Sequence, residues 1–292
     1  MTELAVHDNL QVLPEPSVVA DLDDLSPGTA RRNRARLNRQ WTRVAFRVLG
    51  PLLVLVFWQL SSSTGWISVQ LLPSETTVLA AFRELWRDGD LQAALPISLR
   101  RAGEGFLIGG SIGLVLGLLS GLWRIGEELL DSSLQMLRTI PFIALIPLFM
   151  LWFGIGEQAK ISLIAAACIF PVYLNTYAGV RGVDPKVVEA GTVFGLRRWS
   201  LIRQVILPLS LPSVLVGIRY GLGVSLLALV AAEQINASSG IGYILINANQ
   251  NARADIVIAG VLVYALLGIS VDVLMRLVEQ AALPWRARFP TK

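Results

Sequence analysis

The sequence predicts an all-α fold, a polytopic membrane helical bundle of about six transmembrane helices behind a polar N-terminal tail. Three observations predict it. Of the 292 residues 54% are hydrophobic and only 16% charged, against roughly 25% charged residues in soluble chains. The mean hydropathy is +0.60. The apolar residues also come in long blocks instead of alternating with polar ones. A bilayer core about 30 Å thick takes about 20 apolar residues per helical span, and backbone groups facing lipid must be satisfied within the helix itself.

Residues 1–42 are expected to form a disordered cytoplasmic tail ending in an Arg-rich segment. The stretch from Met1 to about Pro27 is acidic and proline-punctuated, and it lacks the apolar run of a signal peptide. Arg31, Arg32, Arg34, Arg36, Arg39, Arg43 and Arg47 then follow with no intervening acid. Directly before an apolar run, such a series reads as a headgroup-facing anchor on the cytoplasmic side; a nucleic-acid arm is the weaker alternative. Residues 43–292 are the membrane domain. Its expected spans are Val44–Leu60, Gly103–Trp123, Leu137–Phe153, Ile161–Val180, Ser213–Ala232 and Ile256–Val278.

The arginines orient these spans. With the Arg-rich segment inside, the connection at 181–212 also falls inside, where Arg181, Lys186, Arg197, Arg198 and Arg203 face only Asp184 and Glu189. Arg286, Arg288 and Lys292 put the C-terminus on the same side. The segment from Ser61 to about Pro96, with Glu75, Glu84, Asp88 and Asp90, falls outside. Both termini are therefore expected in the cytoplasm.

Between the first two spans, Ser74 is placed to cap a short amphipathic helix with Val78, Leu79, Phe82, Leu85 and Trp86 on one face, ended by Gly89. In the second span Gly105, Gly109, Gly113, Gly117 and Gly121 recur every fourth residue, a strip on which another backbone can lie closely. Pro141 and Pro147 in the third span and Pro171 in the fourth are expected to kink their helices.

The single Cys168 and the single His7 exclude an intrachain disulfide, a Cys/His zinc site and a His-based triad. No catalytic, metal or cofactor-binding residues are expected. Arg219, inside the fifth span, points to a cavity or a partner. Glu233 and Asn236 close that span ahead of a loop, Ser238–Tyr243, whose Gly240 and Gly242 suit a gate at the outer mouth. Arg100 and Arg101 are read as interface anchors that could also attract an anion.

The richest stretch is the inside connection. Asp184 is placed as an N-cap with Pro185 at the first helical position; Val187, Val188, Ala190, Gly191 and Phe194 follow, and Gly195 suits a left-handed corner. A second helix, about Arg198–Ile206, is expected to end before Pro208. The outline is shared with DNA-binding helix-turn-helix units, but the tether between two spans favours a docking element for a cytoplasmic partner.

Glu189-Ala190-Gly191, three residues, Gly195, nine residues, then Val205-Ile206-Leu207-Pro208 resembles the "EAA" loop of binding-protein-dependent ABC importer permeases. The usual pattern has alanine at Gly191 and isoleucine at Val205. Leu134-Gln135-Met136-Leu137-Arg138-Thr139-Ile140-Pro141, Ala144-Leu145-Ile146-Pro147-Leu148, Leu151-Trp152-Phe153-Gly154-Ile155-Gly156 and Ser238-Ser239-Gly240-Ile241-Gly242-Tyr243 are similar to the sulfonate, taurine and nitrate subgroup, above all to aliphatic-sulfonate permeases. The similarity runs from about Pro73 to Glu279.

That resemblance implies a type I ABC importer transmembrane domain in a bacterial inner membrane, a permease for a small organic anion, aliphatic sulfonates first, with taurine, nitrate or bicarbonate as the alternative cargo within the family. It implies a second permease copy, two copies of a cytoplasmic ATP-binding subunit and a periplasmic or lipid-anchored solute-binding protein. Asp184, Pro185, Glu189, Ala190, Gly191, Gly195, Leu207 and Pro208 would form the ATPase-coupling loop. The chain itself has no Gly-x-x-x-x-Gly-Lys-Ser/Thr run with which to bind ATP. Membrane lipids are the other expected partner, and nucleic acid is not one. An ion-coupled secondary transporter is the rival reading, but it would want carboxylates in the centres of the spans, which are almost free of them.

Overall fold

The computed structural model describes residues 49–285 except 51, 69, 124, 125, 127, 129–135, 137, 138, 235 and 236. The tail, the Arg-rich segment, Arg286, Arg288, Lys292 and Asn236 lie outside the described residues. The chain divides into two compact units, Met1–Thr64 and Gly65–Lys292. In the first, a short apolar helix, α1, spans Leu52–Ser63. All that follows concerns the second unit, where every regular element among the described residues is helical.

Helix α2, Glu75–Arg87, starts as its sequence dictates: the Ser74 hydroxyl accepts a hydrogen bond from the Thr77 amide at 3.3 Å. Only half of its expected apolar face turns inward. Val78, Ala81 and Leu85 are buried, whereas Leu79 and Trp86 are exposed. The helix packs on the last helix, α9 (Ala254–Ala282), and Arg253 ties the two together by pairing with Glu84 and Asp255 at 2.8 and 2.9 Å. Hydrogen bonds to Asp255 and then Glu84 hold the Arg253 guanidinium above its ordinary pKa.

Gly89, at φ +87°, turns the chain directly into α3, Asp90–Leu122. The helix begins 13 residues before the expected span at Gly103. At 1.5 Å per residue its 33 residues run about 50 Å, longer than a bilayer core. Its glycine strip lies against α5, Glu157–Arg181. A Cβ at Gly105 would stand 2.5 Å from Ile164, and at Gly117 and Gly121 it would stand 2.7 Å from Thr176 and Val180; at Gly109 and Gly113 it would overlap the backbone oxygens of Ala165 and Ile169. All five glycines therefore serve one parallel helix contact.

Helix α7, Arg198–Glu233, packs antiparallel on α5, and small residues again set the approach. Gly179 faces Ser213, Gly217 faces Asn175 and Gly221 faces Val172. The core lies where α3, α5 and α7 meet, with Ala102, Ile164, Cys168, Ala228 and Leu229 at its centre. Helix α9 is the outer member: Val261, Leu262, Leu266, Ile269, Val273 and Leu277 are exposed, as on a helix facing lipid.

Among the described residues, four helices are long and apolar enough to cross a membrane: α3, α5, α7 and α9. The first and third expected spans coincide with shorter apolar helices, α1 and the segment Phe142–Phe153. In the latter, Pro141 and Pro147 do not kink one continuous helix. Pro141 precedes a 3-10 turn at Phe142–Leu145, and Pro147 sits in the first turn of α4, Ile146–Phe153, where its missing N–H is no loss. Because α3 and α5 run in the same direction, the chain between them returns to the end where α3 began.

The expected stop before Pro208 does not occur. Residues Ile202–Ile206 form a π-helical turn and the α-helix resumes at Leu207, so α7 passes straight through. The wider turn ends where Pro208, with no N–H to donate, begins a new α-helical ladder. Pro96, Pro171 and Pro212 likewise lie inside long helices.

Candidate functional site

Two clusters stand at opposite ends of the α5–α7 pair. At the end where α5 stops, Gly182 and Val183 lead into α6, Pro185–Val193. Asp184 caps it, its Oδ1 accepting from the Lys186 amide at 2.9 Å, and Pro185 takes the first turn. The far end closes in a Schellman motif: the Gly195 amide donates to Thr192 O and the Leu196 amide to Gly191 O, both at 3.0 Å, with Gly195 at φ +85°. Gly191, the position that departs from the usual alanine, is buried; a Cβ there would lie 2.7 Å from Leu201, the first turn of α7. The hairpin is thus closed by contact of α7 with a bare backbone.

Its outward surface is apolar. Val193 is 84% exposed, Phe194 86% and Trp199 74%. Water gains nothing from such side chains, and a rigid turn displaying three of them together marks an interaction surface. Glu189 and Ala190 are exposed as well, and Glu189 borders a cavity of about 510 Å³ with Arg181, Arg198 and Ile206. Among the described residues Glu189 holds no ion pair. Leu207 follows at the π-to-α junction and is part-exposed.

At the other end Glu233, the last residue of α7, is fully buried. Four donors converge on its carboxylate: Ser98 Oγ at 2.7 Å, Arg101 Nη1 at 2.6 Å, the Gly242 amide at 2.9 Å and Tyr264 Oη at 2.9 Å. Arg101 is only 2% exposed, and its remaining N–H groups reach Glu157 twice at 2.6 Å, the Ser239 carbonyl at 2.7 Å and the Ser239 hydroxyl at 3.1 Å. Ser98 in turn accepts from the Ile241 amide at 2.9 Å, and Lys160 pairs with Glu157 at 3.2 Å.

This knot explains the loop ahead of α8, Ile241–Gln250. Gly240 is at φ +100°, and a Cβ there would strike Glu233 Oε1 and lie 2.7 Å from Arg101 Nη1. A Cβ at Gly242 would strike the Glu233 side chain. The two glycines let backbone wrap a buried carboxylate. Glu233, Gly240 and Gly242, grouped from the sequence, do come together; Asn236 lies outside the described residues. A cavity of about 570 Å³ opens beside them, bordered by Asp90, Ser238, Tyr243, Asn247 and Arg253.

Arg101 is not the interface anchor expected of it, because it turns into the bundle and is neutralised there. Ser98, Glu157, Lys160 and Tyr264 also escaped sequence reasoning. The available signal was electrostatic: an arginine entering one apolar run and a glutamate closing another call for each other. Arg219 lies elsewhere, on α7 facing α9, with Glu279 at 3.2 Å and Asp272 at 3.5 Å. Its buried Nε and the buried Glu279 Oε1 lack hydrogen-bond partners. Among the described residues no cluster of His, Cys, Asp and Glu could hold a metal ion.

Comparison with known proteins identifies the family of the chain. Residues 113–283 match the family of binding-protein-dependent transport system inner membrane components. The chain is 48% identical over 242 residues to the putative aliphatic sulfonates transport permease protein SsuC of Escherichia coli (strain K12), covering 83% of this chain and 92% of that one. It is 44% identical over 239 residues to its namesake from Bacillus subtilis (strain 168), covering 82% and 87%. A crystal structure of an amino acid ABC transporter with histidines shares the fold, at TM-score 0.57 and 19% identity over 67% of this chain and 95% of that one.

Proposed function

Since the chain belongs to the family of binding-protein-dependent transport system inner membrane components and is a multi-pass permease of an ABC importer, we propose that it carries aliphatic sulfonates into a bacterial cell. A partner ATPase supplies the energy. The two relatives whose names specify aliphatic sulfonates support the cargo. The exposed apolar tip of the hairpin, Val193, Phe194 and Trp199, carries the coupling reading.

In this reading the hairpin end is cytoplasmic, so both termini are cytoplasmic, the N-terminal one as the tail 1–42. A groove on the ATP-binding subunit takes the α6 tip, with Asp184, Pro185, Gly191 and Gly195 fixing the hairpin's shape and Glu189 and Ala190 forming part of its contact face. Leu207 and Pro208, directly after the π turn, pass the motion along α7. Two permease copies and two ATP-binding subunits make up the importer, and an external solute-binding protein delivers the anion. ATP closing the partner dimer then biases a two-state pore.

Glu233, Gly240 and Gly242 act as the anchor of an outer gate. Asn236 joins them by its place in the sequence. Arg219 is a pathway residue on the strength of its place within a span.

The test is reconstitution of the permease with its ATP-binding subunit in proteoliposomes, with methanesulfonate, taurine or nitrate delivered on the cognate binding protein. ATPase stimulation and uptake are expected with the sulfonate. Stimulation by nitrate alone would overturn the cargo assignment, and failure to form an ATP-hydrolysing complex would overturn the coupling assignment.

A further inference from the structure

Arg101 holds two carboxylates of different character. Glu233 is enclosed and has four donors. Glu157 takes two N–H bonds from Arg101 at 2.6 Å, yet its side chain is 55% exposed. The exposed side borders a cavity of about 260 Å³, lined with Ile97, Arg100, Glu104, Ile161 and Ser239, near the lower end of the ~300–1,000 Å³ of small-molecule sites.

Charge balance separates the two carboxylates further. Glu233 alone neutralises Arg101, as burial of a guanidinium requires. Glu157 is balanced by Lys160, 3.2 Å away and itself nearly buried. If Glu157 swung into solvent, Arg101 and Lys160 would be left with one positive charge in excess of Glu233, and of the two Arg101 borders the cavity. A monoanion that took its place would restore neutrality. The vacated edge, Nε and Nη2 of Arg101, is a fork whose two parallel N–H groups fit a pair of oxygens on one anionic centre. A sulfonate presents such a pair in each of three equivalent orientations.

We infer that Arg101 is a sulfonate-binding residue of the permease, occupied at rest by Glu157, and that the sulfonate group of the substrate displaces Glu157 from the Nε–Nη2 edge. The inference rests on the sulfonate-import reading above and deepens it by giving the permease a site of its own for that anion. Because Glu157 stays tethered in the first turn of α5, it competes for the same edge and speeds release. The Ser239 carbonyl and hydroxyl, bound to the same guanidinium, connect occupancy to the loop that leads into α8.

The experiment uses the permease–ATPase complex in lipid nanodiscs without binding protein, titrated with trifluoromethanesulfonate and followed by fluorine NMR line broadening. Glu157→Gln removes the resident anion at a half-exposed position, and a roughly fivefold lower half-saturating concentration is expected. Glu104→Gln removes the same charge from the same cavity but frees the exposed Arg100 in place of Arg101, and its shift is expected to stay under about twofold. Equal half-saturation in wild type and Glu157→Gln, an equal shift in both variants, or no broadening in any of them overturns the assignment. Methanesulfonate uptake by the wild-type importer with its binding protein is scored separately. Normal uptake with an unshifted Glu157→Gln titration sinks only the Arg101 site. A shifted titration with no sulfonate uptake sinks only the import reading.

Discussion

Glu233 and Gly195 are the residues whose replacement separates structure from coupling. Glu233 has no water to fall back on, so Glu233→Gln leaves the Arg101 charge buried with a weaker partner. A loss of about 3–5 kcal/mol, the usual cost of breaking a buried pair, is expected in thermal unfolding of the detergent-solubilised protein. Tyr264→Phe removes one donor of four and is expected to cost about 1.5–3 kcal/mol, as for a hydrogen bond to a charged group. If both variants melt like wild type, the carboxylate is not the centre of the knot. At the opposite end the φ of +85° at Gly195 excludes a β-branched side chain without strain of roughly 1–3 kcal/mol. Gly195→Val should insert in the membrane and bind nucleotide-bearing partner weakly, with sulfonate-stimulated ATP hydrolysis lost. Full stimulation in that variant would remove the hairpin from the coupling path.

The helix pair α3–α5 is the element on which the bundle depends. At Gly109 and Gly113 a glycine backbone lies directly on the backbone of α5, so the contact has no slack there to absorb a side chain. Gly109→Leu and Gly113→Leu are each expected to destabilise by more than about 3 kcal/mol or to prevent assembly altogether, through overpacking. Gly103, on the same helix with open space around its Cα, supplies the contrast: Gly103→Ala is expected to be neutral or to stabilise by about 0.5–1 kcal/mol. Proteolysis and melting of the three variants in parallel check the difference. Equal behaviour of Gly103→Ala and Gly109→Leu would mean that the strip is not the contact.

For the whole molecule the orientation in the membrane has a direct test, and the protein carries its own control. Its one cysteine, Cys168, is fully buried at the centre of the bundle, so an impermeant maleimide has no native thiol to reach in the folded chain. Phe194→Cys introduces a reactive site at the hairpin tip, 86% exposed in the wild-type residue. Labelling is expected in inverted vesicles and not in intact cells, and bound ATPase should reduce it. Labelling from the outside would reverse the orientation and remove the cytoplasmic docking site with it.

What could be read in the chain before any coordinates was whatever depends on local spacing. Apolar blocks of span length, the Asp184–Pro185 start and Gly195 stop of α6, and the four-residue glycine period all act through neighbours within a turn or two, so composition and register suffice. The partner of the glycine strip, the passage of α7 through Pro208 and the knot around Glu233 were not legible in that way. Ser98, Arg101, Glu157, Glu233 and Tyr264 come from four helices separated by up to 166 positions in the sequence, counting from Ser98 to Tyr264. A buried charge selects its counter-charge by proximity in three dimensions, because the low dielectric penalises every unpaired arrangement. The sequence by itself determines that an arginine and a glutamate lie at the ends of apolar helices, and only the packing of α3, α5, α7 and α9 decided that they are buried and with which partners.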